Sequence, residues 1–243
     1  MANYHHLALL NAPDGPMPTY IAAPEGREPK PGVLVIQGMH GANSFEMEVA
    51  ERLAEQGYVA AVPDLFYRGP ACFSFEELDR RRREFSDARM TADVKTAMAY
   101  LQAQPYVRGG GIGILGFCMG GRVSYLMAAT SPEIRVAADF YGGGVHKGEG
   151  GPSPFEQTAN IRCPILVFDG EEDQHPSPEE VRKTGAELAR HGIVHEVHIY
   201  PGVGHAFMSA QGARRRQEVI DDAWSRLTGW FERYLVAEPA LAR

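Results

Sequence analysis

The chain has 243 residues, with 24 Lys and Arg against 31 Asp and Glu, a formal net charge of −7, and 44% hydrophobic and 23% charged residues. It is too apolar for intrinsic disorder and too mixed for a fibre. The acidic balance disfavours nucleic acid and anionic membrane as partners.

Segments of strand length alternate with segments of helix length, the pattern of βαβ units around a mainly parallel sheet with helices on both faces. Residues 4–10 and 18–22, separated by the turn-rich NAPDGP, read as an edge hairpin. GVLVIQ (32–37) reads as a buried strand, and 45–55 as a helix capped by Asn43 or Ser44. A second strand is expected at 59–63, then a polar, Arg-rich segment at 75–89 leading into an amphipathic helix at 94–101. Further strands are expected at 111–115, 136–141, 164–168 and 194–200, with helices at 122–129, 181–191 and 218–235. The glycine-rich stretch 142–154 falls inside this alternation, so it reads as a loop over the sheet, and residues 1–243 as one domain.

Cys72, Cys118 and Cys163 are too few for a disulfide framework, and no CxxC pair suggests zinc. The N-terminus MANYHHLALL lacks the pattern of a secretory signal, and no run of 18 apolar residues marks a membrane span. A cytoplasmic protein is expected, as a monomer or small homo-oligomer, with no metal and no cofactor. Gly111, Gly113 and Gly116 formally spell GxGxxG, but they interleave with a strand where a dinucleotide fingerprint must follow one.

The chemistry concentrates at Gly116-Phe117-Cys118-Met119-Gly120, which matches G-x-S-x-G with cysteine for serine between a strand and a helix. That is the setting of a nucleophile elbow, where a strained turn lifts the nucleophile above the sheet. The following helix points its N–H groups and positive dipole end at the sulfur, and the Met119 N–H can serve an oxyanion. Cys72 and Cys163 lack such a setting and read as packing residues.

A nucleophile of this kind needs a base and an acid to orient it, following in that fold in the order nucleophile, acid, histidine. ILVFDGEEDQHP offers Asp169, Glu171, Glu172 and Asp173. Asp169 directly ends the apolar run, where turn hydrogen bonding explains it, so Asp173 is preferred. Among nine histidines, His205 follows Gly202 and Gly204 on a loop; His195 and His198 lie in or beside a strand, and His191 suits a helix C-terminus. Phe66, Tyr67, Phe73, Tyr141 and Phe207 can wall an apolar pocket. Arg80–Arg83 among acids reads first as a solvated helix face.

These motifs resemble the dienelactone hydrolases, a cysteine-using branch of the α/β-hydrolases. The resemblance runs from about Pro31 to Leu235 through GVLVIQGMHGANSF, RLAEQGYVAAVPDLF, GILGFCMGGR, DFYGG, ILVFDGEED and YPGVGHAF. It implies an α/β-hydrolase fold with a minimal cap and a Cys118–His205–Asp173 triad cleaving a small ester or lactone through an acyl-enzyme. It also implies the Met39 N–H as second oxyanion donor. The family usually carries a glutamate against the resting thiol, in a stretch resembling IxxE-x-x-G-x-N; the matching position here is Gly38, with Gln37 and His40 as partial substitutes. A substrate-carboxylate arginine expected four residues after the histidine is Ser209, and the other falls within Arg80–Arg83, Arg81 among them. The resemblance thus implies the triad but not activity on dienelactone itself. The competing reading is a non-catalytic relative that keeps the fold to bind a ligand or partner.

Overall fold

The computed structural model describes residues 3–26, 28–70, 74–210, 212 and 215–237. Cys72 and Phe73 lie outside the described residues. Eight strands form one sheet: β1 (Asn3–Ala12), β2 (Gly15–Pro24), β3 (Lys30–Ile36), β4 (Val59–Pro63), β5 (Val107–Phe117), β6 (Ile134–Phe140), β7 (Ile165–Gly170) and β8 (His195–Tyr200). Their order is β1-β2-β4-β3-β5-β6-β7-β8. β1 and β2 form the hairpin and β2 runs antiparallel to β4, while the strands from β4 through β8 are mutually parallel.

Side-chain alternation explains how helices cover both faces. On β3, Leu34 and Ile36 pack with Val94, Leu101, Val123, Met127 and Leu188, under α3 (Asp87–Gln102), α4 (Met119–Thr130) and α5 (Pro178–Arg190). Val33 and Val35 point the other way, to Val49, Leu53, Leu227 and Phe231 of α1 (Ser44–Glu55) and α6 (Gln217–Phe231). The architecture is an α/β-hydrolase fold. Among the described residues no helix is long and apolar enough to cross a membrane.

Two local outcomes matter for the site. The Arg-rich segment breaks at Phe85 into α2 (Phe75–Glu84) and α3, because Ser86 caps a new helix through the Arg89 N–H. Arg81 of α2 is buried, contrary to a solvated face: its Nε donates to Glu77 at 2.8 Å and its guanidinium lies over the Phe66 ring at 4.6 Å. The apolar floor under α2 draws this cation in because its stem and planar face can pack there while Glu77 holds its charge.

The chain runs from β3 outward to β4 and returns across β3 to β5, so the order reverses between β3 and β5. The loops after these two strands open at the same end of the sheet, where open α/β sheets leave a crevice. Those loops carry Gly38–Asn43 and Cys118.

Candidate active site

Cys118 joins β5 directly to α4 with φ 56° and ψ −118°, a backbone conformation that non-glycine residues rarely adopt. Its N–H donates to the Phe140 carbonyl at 2.9 Å, which pins the turn to β6. The flanking glycines are demanded by contact. A Cβ on Gly116 would fall 2.1 Å from the Gly120 carbonyl oxygen, and one on Gly120 would fall 2.2 Å from that of Ile36. Tyr141 (φ 44°) and Ala206 (φ 61°) are the other non-glycine residues with positive φ among the described residues, and both border the same site. Strain of this kind persists only where surrounding structure enforces it.

Asp173 follows β7 on an acidic turn, with its N–H bonded to the Gly170 carbonyl at 3.1 Å. Its Oδ1 accepts the His175 N–H at 2.9 Å, and its Oδ2 lies 2.6 Å from Nδ1 of His205. His205 stands on the loop after β8, where its ring interacts with Cys118. Burial opposes charge on this imidazole, but hydrogen bonds to Asp173 and Cys118, with their negative charge, raise it from 6.5 to about 10. Burial likewise opposes the Asp173 charge, and the His205 and His175 hydrogen bonds outweigh it and lower its pKa. The imidazole therefore holds its proton at neutral pH.

Above the sulfur lies a cleft of about 280 Å³, lined by Met39, Met119, Arg82, Phe85, Arg122 and the loop 143–149 among others. Met119 is the first residue of α4, so its N–H has no acceptor within the helix and faces this end of the site. Met39 is placed across from it by the turn in which the Gly41 N–H bonds the Gly38 carbonyl at 3.1 Å. Arg81 donates to the Met39 carbonyl at 3.2 Å, so it braces this loop from behind. Arg82, next on α2, is the one that reaches the cleft; its side chain is 64% exposed and 3.6 Å from Asp79.

Buried Arg122 orders the opposite wall. It donates to the Gly144 carbonyl at 2.9 Å and the Lys147 carbonyl at 2.7 Å and pairs with Asp87. The glycine-rich stretch after β6 is thus held down over the sheet, bonded through its backbone.

The remaining expected site residues fall in distinct places. Gln37 is fully buried, and its Oε1 accepts the Leu65 N–H at 3.4 Å, so it supports the loop after β4 and does not line the cleft. His40 is exposed at the loop tip. Phe66 is buried beneath Arg81. Tyr141 and Phe207 are fully buried and pack as a wall behind the imidazole, with Tyr141 ring centroids 5.1 Å from His205 and 5.3 Å from Phe207. Ser209 is buried and bonds the Ala206 carbonyl at 3.1 Å. Cys163 is buried, and burial pushes its thiol up to about 12. His191 caps α5, and His195 and His198 lie on β8.

Gly38 has no side chain to present to the sulfur, and its nearest neighbour for a Cβ would be the Cys118 Cβ at 3.5 Å. A different carboxyl reaches this loop. Glu46, in the first turn of α1, closes a capping box with Asn43, whose N–H it accepts at 3.2 Å. It is buried, and burial pushes it up to about 7 against the pull of the N–H groups of Glu46, Asn43 and Gly38. Its charge is felt by Tyr141. The N-x-x-E spacing after Asn43 was the available sequence signal for Glu46, one that ordinarily marks only a helix start.

The profile of the dienelactone hydrolase family matches residues 17–235. A protein of Synechocystis, provisionally named a carboxymethylenebutenolidase, is 31% identical over 222 residues, covering 88% of this chain and 90% of its own. A Bradyrhizobium protein, provisionally named a 2-oxo-3-(5-oxofuran-2-ylidene)propanoate lactonase, is 31% identical over 211 residues, covering 85% of each. A crystal structure from Klebsiella pneumoniae, provisionally assigned as a dienelactone hydrolase, superposes with TM-score 0.87 at 27% identity over 96% of this chain and all of that one. With the elbow, the cleft and a match over nearly its whole length, this chain belongs to the dienelactone hydrolase family of α/β-hydrolases.

Proposed function

We propose that this hydrolase cleaves a small ester or lactone through an acyl-enzyme on Cys118. The observations that support it are the Asp173–His205 hydrogen bond, the interaction of His205 with Cys118, and the strained elbow that holds the sulfur. The imidazolium faces the sulfur, whose attacking form is the thiolate. That sulfur attacks the carbonyl carbon, and the C=O electron pair moves onto oxygen. The Met119 and Met39 N–H groups, on opposite lips of the cleft, donate to this oxyanion. Collapse breaks the C–O bond, and His205 gives its proton to the leaving oxygen. In a lactone the leaving group stays tethered as a hydroxyl or enol. Water then attacks the thioester while His205 takes its proton, releasing the acid and restoring the sulfur. Asp173 keeps the ring in the tautomer and orientation both half-reactions need.

The test is to trap the intermediate. Mixing the protein with a slowly deacylated aryl ester and quenching in acid should add one acyl mass to the peptide containing Cys118. The Cys118→Ala protein should carry none. An acyl mass elsewhere, or turnover with no adduct at any time point, defeats the acyl-enzyme.

Arg82 and Lys147 give the rim positive charge, and a substrate bearing a carboxylate fits it best. Both are exposed and have acidic neighbours, Asp79 and Glu149. Arg82→Ala is expected to raise KM for an anionic ester by roughly 5- to 10-fold, about 1 kcal/mol, with kcat and the KM of a neutral ester nearly unchanged. Equal effects on the neutral and anionic esters would show that Arg82 packs against substrate instead of pairing with its charge.

A further inference from the structure

Asp169 follows the apolar run of β7 and is still within the strand, paired with Ile199 of β8, so its surroundings are not those of a turn residue. The side chain is fully buried, and neither carboxyl oxygen has a hydrogen-bond donor among the described residues. The neighbouring Gly170 N–H is near but makes no well-formed bond to either oxygen. A bare carboxylate in such a place would forfeit its hydration with nothing in return. What lies within hydrogen-bonding reach is another carboxyl, that of Asp173.

Two buried carboxyls in contact cannot both be charged, so one holds a proton and donates it to the other. The partners decide which. Asp173 receives the His175 N–H at 2.9 Å and faces the imidazolium at 2.6 Å, and both favour its anion. Asp169 receives nothing comparable, so the proton rests there.

We propose that Asp169 is a positioning residue, a carboxylic acid kept neutral inside the fold whose O–H is donated to Asp173 and holds that carboxylate in line with His205. This deepens the catalytic reading of His205 and Asp173 and rests on it. Asp173 then receives three hydrogen bonds, from His205, His175 and Asp169. The third fixes the rotation of the carboxylate about its own axis, which the other two leave soft. It also withdraws charge from Asp173, tempering its hold on the His205 proton.

The ionisable groups around Asp169 agree with a neutral acid. Asp173 is on its own turn, His205 lies beyond Asp173, and Asp139 projects from β6. Asp139 is itself fully buried with an unpartnered oxygen, and burial pushes it up to about 7. Glu180 and His146 lie across a small cavity from Asp139, and the residue opposite Asp169 on β8 is the apolar Ile199. Among the described residues, the charges that act on Asp169 are those of the acids Asp173 and Asp139. Burial and then the Asp173 charge raise Asp169 to about 9.

Infrared difference spectroscopy tests this without activity. At about pH 8, between the values for Asp139 and Asp169, the wild-type protein should show the C=O stretch of a protonated carboxylic acid that is missing in Asp169→Asn. An identical spectrum in the two proteins overturns the proposal. Kinetics add a second arm. Asn preserves the shape and donates an N–H to Asp173, so it should retain most of kcat, whereas Asp169→Leu should lose about 10- to 100-fold. Ionisation of Asp169 breaks the pair, so the wild type should lose kcat/KM on an alkaline limb near pH 9. In Asp169→Asn that limb should move up toward the His205 value of about 10. Superimposable profiles for wild type and Asp169→Asn overturn the proposal even if Asp169→Leu fails to fold. Should the triad reading itself fail, activity would be lost as an argument, but the infrared band would still report the acid pair.

Discussion

Replacing Cys118 by alanine is expected to lower kcat for a chromogenic short-chain ester by at least about 10⁴-fold while the protein stays folded. Alanine keeps the Cβ and removes only the sulfur, so the strained φ of 56° is occupied as before and the elbow is not relieved. The flanking N–H groups, the cleft and the Asp173–His205 pair all remain. The loss therefore isolates nucleophilic attack from binding. In the proposed mechanism nucleophile and base act as one unit, so His205→Ala should cost a similar factor, and the double variant should be little worse than either alone. Steady-state rates over a substrate series, with circular dichroism to certify the fold, make the measurement. Hydrolysis of the same ester at equal rates by wild type and Cys118→Ala would show that Cys118 is not the nucleophile.

Gly120→Ala carries the largest expected effect on stability. The new Cβ would sit 2.2 Å from the Ile36 carbonyl oxygen and 2.6 Å from that of Gln37. Both are backbone atoms of a central strand and its exit, locked between β4 and β5, so neither can rotate away. Relief requires pushing α4 off the sheet, which opens the packing of Val123 and Met127. A cost of about 3–4 kcal/mol is expected, lowering Tm by roughly 10 °C in a chain of this size. Gly229→Ala is the matched control. Gly229 is exposed in α6 with nothing near its missing Cβ, so alanine there should stabilise by about 0.5–1 kcal/mol. Thermal melts of the two variants should shift in opposite directions. A similar small shift in both would mean that the elbow glycine is required for chemistry alone.

Much of this site was readable from residue order because its parts are local. An elbow needs small residues two before and two after the nucleophile, and Gly116 and Gly120 stand at those positions for a reason the contacts make explicit. Asp173 and His205 were named from residue order for a related reason: each lies on a loop just past a strand, at the end of the sheet where strand ends converge. Arg81 was not legible. Four consecutive arginines among acids resemble a wet helix face, and only the fold sets Phe66 beneath one of them and the Met39 carbonyl beside it. Glu46 and Asp169 were hidden similarly. One looked like a helix cap and the other like a strand stop, and both are buried carboxyls beside the proposed triad.

Alternation and turn residues thus determined the strand and helix order, the parallel sheet and the elbow, since these depend on periodicity and steric limits acting over a few residues. Tertiary structure alone decided which ionisable groups share an enclosed space. The protonation of Asp169, the bracing role of Arg81 and the outward turn of Arg82 follow from desolvation and from partners distant along the chain. Those energies depend on three-dimensional neighbours, and no local pattern encodes them.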